Sequence, residues 1–290
     1  MQRQEILPAG VRYMLLASLL FAVLNVLVKW LGHIPAVEVV FFRALLTLII
    51  SYGMLRQKGV SVWGKQRKIL FLRGLFGTMA LVLLFMTFQE MRLATATTIH
   101  YLAPIFTVLI AAIFLRERVG RWQPLFFLIS FAGVLLIRGF DPLIDPFYLG
   151  LGIVSAFFSG CAYNCIRYLN TSEEPLVIVF YFPLVAMPIT GLASAFVWVM
   201  PRGWDWLVLA SIGITTQLAQ LLLTKAYQQA EAARVAGVSY LGIIYAIGLG
   251  WWLFDETYFW VSYVGMGVVL LGVVLNVLFP KKTRLKSEPE

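Results

Sequence analysis

Apolar runs of roughly bilayer-spanning length recur along the whole chain, separated by short polar or basic stretches. About 20 helical residues cross a bilayer's hydrocarbon layer. Backbone groups there must be bonded within their own segment, so the runs predict helices. A membrane β-barrel would show short segments of alternating polarity instead, and that pattern is absent. The pattern predicts an all-α integral membrane protein with ten transmembrane helices, at 10–32, 35–56, 69–89, 93–115, 122–138, 148–168, 175–199, 205–229, 233–254 and 258–279. The connections are short, and the longest, from Arg56 to Lys68, is basic. The first run is longer than the apolar region of a secretory signal and holds Asn25 and Lys29, so it is read as a retained span.

Lysine and arginine in short loops set the orientation of a multi-pass protein. Sixteen of the 23 basic residues fall on one side of the predicted spans, among them Arg56, Lys58, Lys65, Arg67, Lys68, Arg116, Arg118, Arg121 and four in the 280–290 tail. Only Arg92, Arg138 and Arg202 fall on the other. Both termini are expected in the cytoplasm, with 280–290 a cytoplasmic tail of a protein in a bacterial cytoplasmic (inner) membrane.

The two halves also align with each other. Residues 88–117 lie over 227–256 without a gap, pairing Gln89 with Gln228, Ala94 with Ala233, Tyr101 with Tyr240, Leu102 with Leu241, Ile105 with Ile244 and Glu117 with Glu256. Those identities are few for greasy helices, but the same offset pairs the spans themselves and brings Lys29 close to Arg167. Five spans per half is an odd number, so the second half must enter the membrane inverted. The expectation is two inverted five-helix repeats, 10–138 and 148–279, an arrangement of many alternating-access carriers.

Composition agrees: 61% of the residues are hydrophobic, only 13% are charged, and mean hydropathy is +0.86. A soluble chain carries about a quarter charged residues. The net charge of +9 sits between the apolar runs and at the chain ends, so it points to membrane rims rather than nucleic acid. Cys161 and Cys165 fall one turn apart without further Cys or His nearby, which reads as two small buried hydrophobes. No metal or cofactor is expected.

These segments carry a family resemblance. LAPIFTVLIAAIFLRERVGRWQ at 102–123 is similar to the fourth-helix signature of EamA-type members of the drug/metabolite transporter superfamily, in which a proline-bearing helix ends in an acid. YLGIIYAIGLGWWLFDETYFW at 240–260 resembles its second-half counterpart, VEVVFFRALLTL at 37–48 the second helix, and VGMGVVLLGVVL at 264–275 the final one. The family commonly has glycine before the acid, whereas here Arg116 and Asp255 stand there. The resemblance implies a secondary transporter of amino acids, their derivatives or other small organic metabolites, and not an enzyme.

Ionisable groups inside a membrane are costly and mark function by default. Arg43, near the middle of span two, could hold a substrate carboxylate or phosphate through its planar fork, or could pair with Glu38 one turn back. Lys29 and Glu38 could close the span-one corner as an ion pair, and Arg73 and Lys225 could snorkel to the interface. Lys29, Glu38, Arg73 and Lys225 are therefore candidates for charge pairs or a gate. The basic excess among them tilts the substrate toward a carboxylate-bearing organic anion.

Asn25, His100, Tyr101, Tyr163, Asn164, Gln217, Gln220 and Tyr240 complete the candidate substrate set, with interhelical bonding as their alternative role. Pro104 should kink span four. His100 could support coupling to protons; otherwise a counter-substrate would serve. Glu117 and Glu256 read as partners of the following helix's dipole. Gly152, Ser155, Ser159, Gly242, Gly248 and Gly250 read as close-packing surfaces. Trp30, Trp63, Trp122, Trp204, Trp206 and Trp260 read as interfacial belts. A membrane-embedded lipid-processing enzyme is the alternative reading. It lacks clustered acids or a histidine-rich metal set, because Asp141, Asp145, Asp205 and Asp255 fall in outer loops. A channel would need a repeated filter motif, and none is present.

Overall fold

The computed structural model describes residues 9–114, 122–140, 144–169, 172–229 and 238–278, and among them there is no strand. The helices are α1 (Ala9–Trp30), α2 (Ala36–Gln57), α3 (Arg67–Glu90), α4 (Leu93–His100), α5 (Ala103–Phe114), α6 (Gln123–Phe140), α7 (Pro146–Leu169), α8 (Pro175–Ser194), α9 (Asp205–Gln229), α10 (Leu241–Phe254) and α11 (Trp260–Leu278). Seven helical segments are long and apolar enough to cross a membrane, counting Leu93–Ile113 as one, and three shorter apolar helices accompany them. The six belt tryptophans are all exposed at or beside helix ends, as amphipathic rings at a membrane surface should be.

Two expected spans come out differently. The fourth is interrupted by a turn at Tyr101–Leu102, between α4 and α5. Pro104 has no N–H for the carbonyl four residues back and its ring crowds that carbonyl, so the ladder breaks there. The seventh was expected to run to 199 but stops at Ser194. Beyond it the Val199 N–H is taken by Glu38 Oε2 at 3.0 Å, so this apolar run folds as a loop across the start of α2. The 280–290 tail, Glu117, Arg234 and the first part of the expected 233–254 span lie outside the described residues.

The main packing partners are α1 with α9, α2 with α8, α3 with α7, and α6 with α11. Glycines set how close some of these helices come. A Cβ on Gly133 would stand 2.6 Å from the Val269 nitrogen and 2.8 Å from the Gly265 oxygen, so α6 and α11 meet backbone to backbone. Likewise a Cβ on Gly160 would sit 2.9 Å from the Thr107 nitrogen, where α7 meets α5. Such approaches supply packing energy in a solvent that gives helices no hydrophobic reason to associate. Gly133→Leu is expected to separate α6 from α11 and cost roughly 1–3 kcal/mol, read as a lower thermal midpoint in detergent. Of the glycines expected to pack, Gly152 closely meets Ile99 of α4 and Gly242 the Tyr101 hydroxyl at the α4–α5 turn, while Gly248 faces open space.

Candidate substrate site

Arg43 comes from the middle of α2, and α3, α8 and α9 close around it. It is 6% exposed, and its Nε donates to Thr216 Oγ1 on α9 at 3.0 Å. The guanidinium carbon lies 5.7 Å from the Phe85 ring centre on α3 and 5.6 Å from that of Phe182 on α8. Its Nη1 is buried with no protein acceptor. Pairing with Glu38 does not occur: that carboxylate turns to the Val199 N–H, and its other oxygen is buried without a partner.

Arg73 does not snorkel. Its guanidinium carbon lies 4.9 Å from the same Phe182 ring, and its Nε and Nη1 are buried with no acceptor. The reason is local. A Cβ on Gly77, one turn further into α3, would stand 2.9 Å from Phe182 and 3.1 Å from Arg73 Nη1. The bare glycine surface lets Phe182 lie against α3 and lets Arg73 run along its own helix toward the interior. Gly74 does the same for α8 one turn earlier, meeting Val185 and the Tyr181 carbonyl. Pro183, next to Phe182, removes a backbone donor from α8 beside the two arginines.

Tyr163 on α7 is 44% exposed and stands within electrostatic reach of both Arg73 and Tyr101. At the α4–α5 break the Tyr101 and Tyr240 rings meet edge to face at 5.2 Å, and the Tyr101 hydroxyl donates to the Ser239 carbonyl at 2.6 Å. The His100 Nδ1 is buried without a partner.

The remaining candidates divide. Asn164 is a tie between helices, its Nδ2 donating to the Thr107 and Gly160 carbonyls, each at 2.9 Å. Gln217 is buried, and its amide nitrogen reaches Met54 Sδ at 3.5 Å. Asn25 and Gln220 are half-buried on α1 and α9. Lys225 is exposed near the end of α9 with its ammonium 5.8 Å from the Tyr13 ring, away from the arginines.

Lys29 does not pair with Glu38 either. It forms a 2.8 Å ion pair with Glu256, in the connection after α10, with side chains 15% and 5% exposed. Glu256 reaches it because Asp255 adopts a left-handed conformation, φ 51°, that reverses the chain. Gly250 leaves room for the returning carboxylate. That carboxylate then accepts the Leu93 N–H at 3.1 and 2.8 Å and the Tyr258 hydroxyl at 2.7 Å. The Tyr258 oxygen in turn accepts the Ala94 N–H at 3.1 Å. Glu256 thus caps α4 in the other half of the chain, not the helix that follows it. Burial, and then the adjacent Glu256 charge, push the Tyr258 phenol's pKa up, so it stays a donor at any physiological pH.

Sequence reasoning passed over Phe182, Phe85 and Thr216. The available signal was the glycine pair one and four residues after Arg73, together with a proline beside Phe182 in an otherwise apolar helix.

Among the described residues, no group of three His, Cys, Asp or Glu side chains is placed to hold a metal. Among the described residues, the pairs at ion-pair distance are Lys29–Glu256 and His33–Asp205, the latter at 3.1 Å. Neither involves Arg43 or Arg73.

The EamA-like transporter family model matches residues 8–139 and again 146–278. The pseudopaline exporter of Pseudomonas aeruginosa is 34% identical over 258 residues, 87% of this chain and 90% of that one. Solute carrier family 35 member G1 of Mus musculus is 30% identical over 272 residues, 87% of this chain and 73% of that one. One crystal structure shares the fold at a TM-score of 0.65 and 20% identity, covering 96% of this chain and 99% of that one. The matched family and the two named relatives are transporters, so the lipid-processing alternative falls. The chain belongs to the EamA-like transporter family, integral membrane proteins that move small molecules.

Proposed function

We propose that the chain is a secondary carrier of a small carboxylate-bearing metabolite, an amino acid derivative or an organic anion, working by alternating access. The observation that carries the reading is Arg43: a guanidinium in the middle of an apolar bundle, with a buried donor that no group among the described residues accepts. Removing such a charge from water costs several kcal/mol, and a site that holds it open toward a substrate anion gives the cost a use.

The carrier has ten spans in two inverted repeats, 10–138 and 148–279. Support comes from the pairing of helices. If the halves are exchanged, α1 with α9 becomes α7 with α3, while α2 with α8 and α6 with α11 map onto themselves, and all four pairs are the dominant ones. Residues in equivalent positions should meet only near the axis relating the halves, and Tyr101 and Tyr240 do meet, each at an interruption of its span. Discontinuous helices at a repeat interface are where carriers bind their cargo. Termini in the cytoplasm of a bacterial inner membrane follow from the basic-residue asymmetry. The relative from Pseudomonas aeruginosa is named as an exporter, and the same direction is proposed for this chain.

The test is reconstitution of the purified chain into liposomes loaded with a carboxylate metabolite, with external labelled substrate and with or without an imposed pH gradient. Label accumulating by counterflow is the expected result. Stimulation by the gradient would assign protons as coupling partner, and indifference to it a counter-substrate. Folded, inserted protein that moves no carboxylate metabolite while moving neutral or cationic ones would sink the reading.

A further inference from the structure

We propose that the substrate carries two anionic groups, one for Arg43 and one for Arg73, bound beside the Phe182 ring. The inference rests on the carrier reading and narrows it from one carboxylate to two. Both guanidinium carbons lie against the same ring, at 5.6 and 4.9 Å from its centre. They are therefore within about 10 Å of each other, and at that distance in a low-dielectric bundle the two charges repel appreciably.

The repulsion is not relieved by the protein. Among the described residues no carboxylate comes within ion-pair distance of either guanidinium. Arg43 donates to the Thr216 hydroxyl, the two cations lie against the Phe85 and Phe182 rings, and Tyr163 stands near Arg73, all neutral groups. Aromatic contact offsets part of the desolvation cost, but leaves the net charge at plus two. A single carboxylate would neutralise one arginine and leave the other buried and unpaired. A dianion neutralises both.

The open donors agree with that count. Arg43 Nη1, Arg73 Nε and Arg73 Nη1 are all buried without acceptors, so acceptor capacity is lacking at both arginines rather than at one. Thr216 holds Arg43 from the α9 side, and the Gly77 surface holds Arg73 against Phe182. The two cations are thus fixed at a set separation, and the site should select the spacing between two carboxylates as well as their number. Arg73 becomes a specificity-determining residue.

The experiment uses the full chain in detergent and measures binding of succinate, glutarate, adipate and pimelate, each against its own monoamide. The monoamide keeps length and shape and removes one charge. At least one diacid should bind about tenfold or more tighter than its monoamide, the worth of a charge-assisted hydrogen bond. Arg73→Gln should bring that ratio to within about twofold while changing the monoamide's affinity little, and Arg73→Lys should keep a preference for the diacid.

Equal affinity for diacid and monoamide at every length in the unmodified protein overturns the proposal, and needs no variant to fold. So does an Arg73→Gln protein that weakens both ligands alike, since Arg73 would then only brace the helices. Failure of the broader reading looks different. Diacids that bind by this pattern but do not exchange across liposomes would refute transport and leave the dianion site standing. Counterflow of a monocarboxylate without any diacid preference would do the reverse.

Discussion

Replacing Glu256 by alanine is expected to destabilise the protein by about 3–5 kcal/mol, because it strands a buried cation and uncaps a helix in one step. The Lys29 ammonium, 2.8 Å from Glu256 Oε1 in the native chain, would keep the Met91 carbonyl and the Phe254 ring, 5.3 Å away, but no counter-charge. The Leu93 N–H, at the start of α4, would lose both of its acceptors. Tyr258 would lose the oxygen its hydroxyl donates to, while still accepting from Ala94. The expected readout is a thermal midpoint in detergent lower by roughly 10 °C, taking a few degrees per kcal/mol for a chain of this size. Removing both charges, as in Lys29→Met/Glu256→Ala, leaves the cap missing but should recover a large part of the loss, since paired charges are dispensable where single ones are not. A double variant as unstable as the single one would show that Glu256 acts through the cap alone. The cluster ties α1, α4 and the α10–α11 connection together at the end that the basic residues assign to the outside. Opening that end would require these bonds to part, so Glu256→Ala should also raise the reactivity of a cysteine introduced beside Lys29.

The contrast between what the chain's pattern revealed and what it hid follows the range of the interactions involved. Hydropathy acts locally, along one helix, and the spans could be read from it to within a few residues at most ends. It misled at 195–199, where an apolar loop lies across α2 because Glu38, far away in sequence, holds Val199. Arg43 was legible as a buried cation that needs partners, because a charge in mid-span is costly wherever its neighbours lie. Its real partners, Thr216 and Phe182, come from other helices and carry no signal at their own positions. Lys29 and Glu38 are near in sequence and were natural partners on paper, yet each bonds in the other half of the chain, with Glu256 and Val199. Arg73 was misplaced for a subtler reason. Its distance from the helix end allows snorkelling, and only the neighbouring glycine surface, with Phe182 lying on it, turns the side chain inward. The chemistry of such a site depends on long-range pairing, which periodicity does not encode.

Arg43→Ala is expected to abolish saturable transport of the carboxylate substrate in liposomes and to weaken binding by about 10- to 100-fold. The estimate takes one charge-assisted hydrogen bond at about 1.5–3 kcal/mol. The variant also leaves the Thr216 hydroxyl without its donor and removes the flat cation packed against Phe85 and Phe182, so a fall in affinity by itself could reflect a loosened bundle. Arg43→Lys separates the two. Lysine keeps the positive charge but has one ammonium in place of the planar fork, and it cannot both donate to Thr216 and present a second donor in the same geometry. If Arg43 orients a carboxylate, Arg43→Lys should bind more weakly than the native protein, by several-fold, and more tightly than Arg43→Ala. If Arg43 serves only to pack, any loss of affinity in the lysine and alanine forms should follow their fall in thermal midpoint and be the same for a carboxylate and its neutral amide. Arg73→Gln should leave the Arg43→Lys penalty intact for a monoamide and shrink it for a diacid, because only the diacid reaches both cations at once. A diacid penalty that is the same with and without Arg73 would mean that the two arginines do not share one ligand.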